Sequence, residues 1–433
     1  MTPSARLSAA IEVLESIEKE RRPAVEGLKA WGLAHRFAGS GDRAAIAGLV
    51  YDALRRRASS AWIMGADTPR AVLLGMLKRE RGMIADAIAK LVDGTKYAPD
   101  NLTDGERIRL ETASLDGAPP HVAGDYPEWL DPYLARSFGD ARGEEGAALA
   151  SRAPLDLRVN TLKATREDVH EVLPDLAPQE TQWSPIGLRI ALPADAKSPA
   201  VHAEPAFLKG LVEVQDEGSQ LAALFSGAKA GEQVIDLCAG AGGKTLALAA
   251  MMENKGQLFA TDSDKRRLAP IHDRLVRSGA RNVQVRTPNS VGTELDDLMG
   301  RMDLVLIDAP CTGTGAWRRN PDAKWRIRPG SLEQRAKDQV EVLDRAVPLL
   351  KAGGRIAYIT CSVLDEENGA QVRAFLARHP EFTITPPGKV AGVLSDRTGA
   401  FREAALLSDE GLLMTPRRTG TDGFFVSVLR HAG

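Results

Sequence analysis

The stretch VIDLCAGAGGKTLALA, residues 234–249, decides the fold of the chain. It opens as an apolar strand that ends near Asp236, continues through a glycine-rich turn, and resumes after Lys244 with the apolar spacing of a helix. A turn of this kind lets the backbone approach a ligand closely and points the first helical amides at it. The stretch therefore predicts an α/β domain with a nucleotide-type ligand at this turn.

The sequence around this stretch alternates strands with helices from residue 215 to the end. We predict strands at 233–238, 256–262, 282–287, 303–309, 355–361 and 424–430, and helices at 244–253, 265–277, 331–350 and 365–378. Continuous apolar strands between helices are typical of a mostly parallel, doubly wound sheet, and such sheets bind ligands at the carboxyl ends of their strands. The predicted strand ends carry Asp236, Asp262, Asp308 and Cys361.

The first half of the chain predicts two further domains. Residues 1–125 are rich in Ala, Leu, Arg and Glu and have helical apolar spacing, most clearly in RAAIAGLVYDALRR. Residues 126–214 begin with a short helical stretch and then mix β-like runs with one helix, which predicts a small α+β module. We place the third domain, the α/β domain, at 215–433.

The composition indicates an ordinary globular protein with reduced thiols. The formal net charge is −2, but residues 1–100 hold 16 basic against 12 acidic residues, a balance of +4. Neither a signal peptide nor an apolar run of membrane-spanning length stands out, so we expect a cytoplasmic protein. The three cysteines are far apart, and neither they nor the histidines show metal-ligand spacing, so we expect no metal.

The glycine-rich turn is consistent with three classes of ligand: ATP, a dinucleotide and S-adenosylmethionine. A phosphate-binding loop would match Gly243, Lys244 and Thr245, but Cys238 stands where its first glycine is required, which weakens the ATP interpretation. A dinucleotide or S-adenosylmethionine would use the turn together with an acid after the second strand, and Asp262 supplies that acid. Glycine spacing alone does not separate these two ligands.

Two thiols at strand ends favour S-adenosylmethionine. Cys311 and Cys361 each follow a predicted strand, and hydride transfer has no use for such a pair. Methylation of carbon 5 of a pyrimidine does, because this carbon becomes nucleophilic only after a thiolate adds to carbon 6. Asp308 is placed to stabilise the adduct at the edge of the base. The remaining cysteine, Cys238, has the pattern of a structural residue.

A basic cluster with interleaved aromatic residues follows the Cys311 loop. Such residues beside an active-site loop suit phosphate contact and base stacking, although charge runs are usually only solvated surfaces. We therefore predict RNA contact here, with the target pyrimidine in a loop or flipped out so that carbon 6 is exposed. The predicted RNA-binding residues are Arg318, Arg319, Lys324, Trp325, Arg326 and Arg328.

Five motifs, in order along residues 215–433, resemble those of the bacterial RsmB and eukaryotic Sun family of RNA 5-methylcytosine methyltransferases. They are DLCAGAGGKT, ATDSDKRRL, DAPCTGTGAWRRNPDAKW, TCSVLDEEN and TDGFFVSVLR. Upstream, YPEWLDPYLARSF, DLRVNTLKATRE and VQDEGSQLAA are similar to the segment before the family's catalytic domain. The resemblance implies a Rossmann-like catalytic domain, an RNA-recognition-like α+β module, and a NusB-like helical RNA-binding domain.

The resemblance also implies roles for individual residues. Cys361 of TCS would be the nucleophile and Cys311 of APC would assist product release. Asp308 would contact the cytosine or the methionine end of the cofactor, and Lys244 would line the same pocket. The implied cofactor-binding residues are Cys238, Ala239, Gly240, Ala241, Gly242, Gly243, Lys244, Asp262, Asn289 and Asp308, with Asp262 on the ribose.

Two departures from the family pattern affect the cofactor site. The family usually has a proline in the turn where this chain reads Gly240–Lys244, so the turn is less rigid here. The family also tends to place an aspartate after the third strand to meet the adenine. Asn289 stands at about that position and could use its carbonyl oxygen instead, without the charge.

These observations favour an S-adenosylmethionine-dependent RNA cytosine-C5 methyltransferase that acts on ribosomal RNA. Transfer RNA is the alternative substrate. From another class, the chain could be an RNA-binding ribosome assembly factor whose methyltransferase domain is catalytically weak. We expect a monomer without a membrane partner.

Overall fold

The computed structural model describes residues 1–192, 199–289 and 292–433, which fall into two compact units. The helical unit comprises Met1–Arg152 and Trp317–Arg328, and the sheet unit comprises Ala153–Ala316 and Pro329–Gly433. Within the described ranges, no helix is both long enough and apolar enough to span a bilayer.

The helical unit contains ten helices in its N-terminal part and a short one in its C-terminal segment. They are α1 (Pro3–Glu20), α2 (Ala24–Ala34), α3 (Ser40–Arg55), α4 (Arg57–Met64), α5 (Pro69–Arg79), α6 (Ala85–Ala89), α7 (Asp104–Thr112), α8 (Pro120–Ala123), α9 (Asp131–Phe138), α10 (Arg142–Leu149) and, in chain order, α17 (Ala323–Arg326).

The amphipathic pattern of the sequence forms the core of this unit. Ile46, Val50 and Leu54 recur on one face of α3 and are buried together with the apolar faces of α1 and α5. Helix α4 lies so close to α5 that a side chain at Gly75 would collide with the Ser60 carbonyl. The helical stretches predicted within residues 1–125 are therefore confirmed as helices.

The segment 317–328 is an integral part of the helical unit. Lys324 Nζ donates to the Arg55 carbonyl at 2.8 Å, and Trp325 Nε1 donates to the Leu54 carbonyl at 2.6 Å. Arg55 in turn donates to the Arg318 carbonyl at 2.7 Å. The bonds from Lys324 and Trp325 satisfy carbonyls at the C-terminal end of α3, where a helix leaves its last acceptors without intrahelical donors.

The sheet unit contains two sheets. Its strands are β1 (Leu155–Val159), β2 (Gln179–Glu180), β3 (Gly187–Ile190), β4 (Val212–Val214), β5 (Gln233–Asp236), β6 (Gln257–Ala260), β7 (Val283–Val285), β8 (Met302–Asp308), β9 (Leu350–Thr360), β10 (Phe382–Ile384), β11 (Leu406–Leu407), β12 (Leu412–Met414) and β13 (Phe424–His431). The first four form a small antiparallel sheet in the order β2-β3-β1-β4.

The larger sheet is mixed, and its parallel part carries the candidate site. Its order is β11-β12-β13-β9-β8-β5-β6-β7, with β10 paired to β13. The pairs among β5 to β9 are parallel, whereas β13 runs antiparallel to β9. The helices of the unit are α11 (Arg166–Val172), α12 (Pro205–Leu208), α13 (Glu217–Phe225), α14 (Gly243–Met251), α15 (Lys265–Leu268), α16 (Ile271–Ser278), α18 (Pro329–Ala346), α19 (Gly369–Arg378), α20 (Pro387–Val390) and α21 (Thr398–Ala404).

The strand order reverses between β5 and β8. From β5 the chain adds β6 and β7 on one side, then returns to place β8 and β9 on the other. Ligands of doubly wound sheets bind in the crevice at such a reversal, at the carboxyl ends of the strands. Asp236 ends β5 and Asp308 ends β8, so both border this crevice.

The main strands of the α/β domain are confirmed, but the predicted domain boundaries do not coincide with the two units. Helices α9 and α10, predicted with the α+β module, lie in the helical unit, and the rest of that module shares the sheet unit with the larger sheet. The helix predicted at 265–277 is two helices, because the chain turns around Pro270. The short strands β10 to β12 were not predicted.

A buried carboxylate joins the small sheet to α13. Asp156 on β1 accepts both Arg189 nitrogens, at 2.7 and 2.9 Å, and also the backbone N–H of Glu217 at 3.0 Å. A bidentate arginine pair is directional as well as strong. It therefore fixes β1 and β3 against the start of α13, just before the chain enters β5.

We expect Leu306→Ala to destabilise the sheet unit by about 3 kcal/mol, because it leaves a cavity in the fully buried centre of β8. Leu208→Ala is the matched control, since Leu208 is 63% exposed and should change stability by less than about 0.5 kcal/mol. Urea unfolding followed by circular dichroism measures both. Equal losses in the two variants would contradict the assignment of β8 as the core strand.

Candidate active site

The glycine-rich turn is held open by two glycines in the left-handed region. Gly240 has φ +49° and Gly242 has φ +87°, and a side chain at Gly242 would lie 2.6 Å from Ile271. Helix α14 begins at the next residue, so its first amides face the end of β5. Arg274 of α16 donates to the Ala241 carbonyl at 2.8 Å and thereby anchors the turn from the opposite side.

Asp236 is hydrogen-bonded to both sides of the glycine-rich turn and is too buried to contact a ligand. Its carboxylate is completely buried, accepts the Thr245 hydroxyl at 2.8 Å and accepts the Cys238 N–H at 3.4 Å. Burial raises the pKa of Asp236 to about 7. The group therefore belongs to the framework of the turn. Burial also raises the pKa of Cys238, which agrees with the structural role predicted for that thiol.

Lys244 and Asp308 form an ion pair across the crevice. The Lys244 ammonium lies 2.7 Å from an Asp308 oxygen and 5.0 Å from the centre of the Phe424 ring. Lys244 is buried, whereas the Asp308 side chain keeps 35% of its surface exposed. The carboxylate is thus the accessible member of the pair, and the cation beneath it stabilises its charge.

The two predicted catalytic thiols are in contact. Cys311 and Cys361 are free, half-buried cysteines whose sulfurs lie 3.3 Å apart. The bond to Cys361 and burial together hold the pKa of Cys311 well above its usual range. The raised pKa favours the thiol form of Cys311.

Asp262 faces the glycine-rich turn. Its oxygens accept the Gly240 N–H and the Asp264 N–H, both at 2.9 Å, and the Arg267 guanidinium lies 3.8 Å away. Ribose contact through this carboxylate stays a prediction. The structure does place Asp262 beside the turn, as that role requires.

The Asn289 side chain, predicted to contact the adenine, is hydrogen-bonded within its own loop. Its side-chain oxygen accepts the N–H of Gly292 at 2.7 Å and that of Thr293 at 3.3 Å. The carbonyl that we assigned to the adenine is thus engaged in a local turn, a common use of asparagine in loops. The adenine contact through Asn289 is not supported by this arrangement.

The predicted RNA-binding cluster divides by exposure. Lys324 and Arg318 are buried, and burial lowers the pKa of Lys324 to about 7. Arg326 and Arg328 are exposed, and Arg326 forms an ion pair with Asp322 at 3.1 Å. Burial removes Lys324 and Arg318 from the residues that could contact a phosphate in this conformation, so RNA contact stays a prediction for the others.

Sequence reasoning missed several residues that shape the site. Arg274, which anchors the turn, lies outside the motifs, and its role depends on the packing of α16. Phe424 and Glu367 lie inside motifs that we quoted, but their positions carried no chemical signal. A buried acid six residues after Cys361 is recognisable only once the fold shows what it contacts.

Comparison with known proteins finds similarity to one family of methyltransferases. Residues 224–430 match the family model described as 16S rRNA methyltransferase RsmB/F. A ribosomal RNA small subunit methyltransferase B from Citrobacter koseri is 37% identical over 270 residues, which is 61% of this chain and 61% of the relative. This alignment thus spans less than two thirds of the relative's length.

Two further similarities cover more of the chain. A probable ribosomal RNA small subunit methyltransferase B from Synechocystis sp. is 29% identical over 379 residues, 87% of this chain and 79% of the relative. The crystal structure of PH0851 superposes with a TM-score of 0.68 at 25% identity and covers 99% of both chains. The fold is therefore a mixed α/β Rossmann-like methyltransferase fold with a helical N-terminal region.

We expect Asp236→Asn to remove a pH-dependent loss of stability. A carboxyl whose folded pKa is raised to about 7 favours the folded state below its unfolded pKa of 3.8 and loses that contribution as the pH rises through about 7. Between about pH 5 and 7 the wild type should lose about 2 kcal/mol relative to the variant, since each pKa unit corresponds to about 1.4 kcal/mol.

Urea unfolding at several pH values measures this difference. The exposed Asp273 supplies the control variant, Asp273→Asn, which should follow the wild type throughout. A constant difference between Asp236→Asn and the wild type over the whole range would show that Asp236 is not protonated in the folded protein.

Proposed function

We propose that this protein is an S-adenosylmethionine-dependent RNA cytosine-C5 methyltransferase, since residues 224–430 match the RsmB/F methyltransferase family model. The observation that carries the proposal is the 3.3 Å contact of two free cysteines beside Asp308 at the reversal of the strand order. Thiols at this position suit covalent addition to a pyrimidine, which other methyl acceptors do not need.

The glycine-rich turn has the features that the cofactor requires. A side chain at Gly243 would meet only the Gln215 amide, at 3.8 Å, so the backbone can be approached from the crevice. The first amides of α14 offer donors for a carboxylate, and Asp262 offers acceptors for hydroxyl groups. When bound there, S-adenosylmethionine supplies an electrophilic methyl group on a sulfonium centre.

Cys361 acts as the nucleophile in this proposal. Its thiolate forms a bond to carbon 6 of the cytosine, and the electron pair of the 5,6 double bond makes carbon 5 nucleophilic. After carbon 5 has gained the methyl group, its proton leaves to a base, the double bond reforms, and the bond from sulfur to carbon 6 breaks. Cys311 lies at contact distance from this sulfur, which suits the predicted role in release.

Asp308 holds the edge of the base. Its exposed carboxylate can accept a hydrogen bond from the cytosine amino group, which orients the ring over Cys361. Lys244 keeps the carboxylate in place through the 2.7 Å ion pair. The buried side of that pair is closed by Phe424, so the aspartate presents its free side toward the crevice.

Ribosomal RNA is the substrate that we propose, since the Citrobacter koseri and Synechocystis relatives are named for the small ribosomal subunit. The helical unit would serve as a NusB-like RNA-binding domain, and the small antiparallel sheet with α11 as an RNA-recognition-like module. The exposed Arg326 and Arg328 are the cluster residues that could meet RNA phosphates.

We expect Cys361→Ala to abolish methyl transfer and to form no covalent complex with RNA. Cys311→Ala should instead accumulate a protein–RNA adduct, because the adduct forms but is not released. The measurement is transfer of labelled methyl groups to unmodified ribosomal and transfer RNA, followed by denaturing gel electrophoresis. Asp273→Asn is the control, since Asp273 is exposed and has no role in the proposed chemistry.

Three outcomes would contradict parts of the proposal. Full activity of Cys361→Ala would exclude it as the nucleophile. Methylation of transfer RNA alone would replace the ribosomal substrate. Binding of RNA by the wild type without any methyl transfer would favour a catalytically weak assembly factor.

A further inference from the structure

Glu367 is a buried carboxylate that the proposed chemistry does not use. It lies at the end of a short 3-10 turn, Asp365–Glu367, that follows Cys361, and its side chain is completely buried. One oxygen accepts the backbone N–H of Thr312 at 2.7 Å, and the other accepts the Thr312 hydroxyl at 2.5 Å. Glu367 therefore holds Thr312, the residue that directly follows Cys311, through two hydrogen bonds.

The residue before Cys311 is held by the same cluster. Gln339 of α18 donates to the Pro310 carbonyl at 2.9 Å and to the Glu367 carboxylate at 3.3 Å. Cys311 is thus fixed at both of its neighbours through groups that meet at Glu367. Charge-assisted bonds of this kind are stronger and more directional than those between neutral groups.

The segment that carries Cys361 also contacts Glu367. Glu367 also has a hydrogen bond with Ser362, the residue after Cys361, and the Ser362 hydroxyl contacts the Thr314 hydroxyl at 3.0 Å. The backbone carbonyl of Glu367 accepts the Tyr358 hydroxyl of β9 at 2.6 Å. One residue therefore connects both sulfur-bearing segments.

The charge of Glu367 also acts on the Cys311 thiol. The titratable groups acting on Cys311 are Cys361 and Glu367, and Tyr358 lies close enough to interact with both Glu367 and Cys311. A negative charge near a thiol disfavours its thiolate. Glu367 thus adds to the preference of Cys311 for its protonated form.

We propose that Glu367 is a positioning residue that holds the two sulfurs in contact and keeps Cys311 in its thiol form. The role of this arrangement in catalysis rests on the proposed function. The arrangement itself is a property of the free protein and can be tested without RNA.

The test is the rate at which each cysteine is alkylated by iodoacetamide at neutral pH, measured by peptide mass spectrometry. In the wild type Cys361 should react faster than Cys311. In Glu367→Gln the ratio of the two rates should fall about tenfold, the change that one pKa unit produces. Asp365→Asn is the matched control, because this carboxylate of the same turn pairs with Arg373 at 2.7 Å and should leave the ratio unchanged.

Activity supplies the second readout. Glu367→Gln should lower kcat for methyl transfer by about 100-fold, the effect of a displacement of roughly 1 Å, with KM for RNA within about twofold of the wild type. Glu367→Asp, which restores the charge, should recover part of both kcat and the alkylation ratio. A purely structural residue would lower melting temperature without changing the ratio.

The outcomes separate the two proposals. An unchanged alkylation ratio in folded Glu367→Gln would overturn the positioning role, whatever the enzyme's activity. Absence of methyl transfer by the wild type would count against the proposed function and leave the alkylation result standing. If Glu367→Gln does not fold, Thr312→Val removes the 2.5 Å hydroxyl bond instead, and a wild-type ratio in that variant would also overturn the proposal.

Discussion

The parallel pairing of β8 with β5 on one side and β9 on the other determines where the groups of the site lie. Asp236 pairs with Leu306, and Asp308 pairs with Ile359, so β8 and β9 extend past the end of β5. Because β5 ends earlier than β8 and β9, the glycine-rich turn follows β5 at a level where β8 is still a strand. A slip of one residue would turn each side chain to the opposite face of the sheet and separate Asp308 from Lys244.

Three carboxylates near this step have different roles because they differ in burial. Asp236 and Glu367 are buried, their pKa values are raised by burial, and both accept hydrogen bonds from loop atoms. Asp308 alone of the three keeps a substantial exposed surface and has a cation beneath it. Burial therefore assigns two of these acids to the framework of the site and leaves the third accessible from the crevice.

The sequence predicted the elements whose signal is periodic and continuous. The strands ending in Asp236, Asp308 and Cys361 are long apolar runs, and parallel strands bring their ends to one edge, so the meeting of these residues followed from the pattern. The short strands β10 to β12 carry too few residues for a pattern. The burial of Lys324 was not predictable, because composition shows a charge and not the carbonyl that will accept its hydrogen bonds.

The same limit applies to the thiols. A motif can bring two cysteines to adjacent strand ends, but a contact between two identical groups does not reveal which one carries the proton. Their surroundings matter more: Glu367 bonds to Thr312 beside Cys311 and to Ser362 beside Cys361, so one buried acid fixes the neighbours of both thiols. The relative placement of the two thiols is therefore a property of the fold around the motifs, and the local sequence at either cysteine does not contain it.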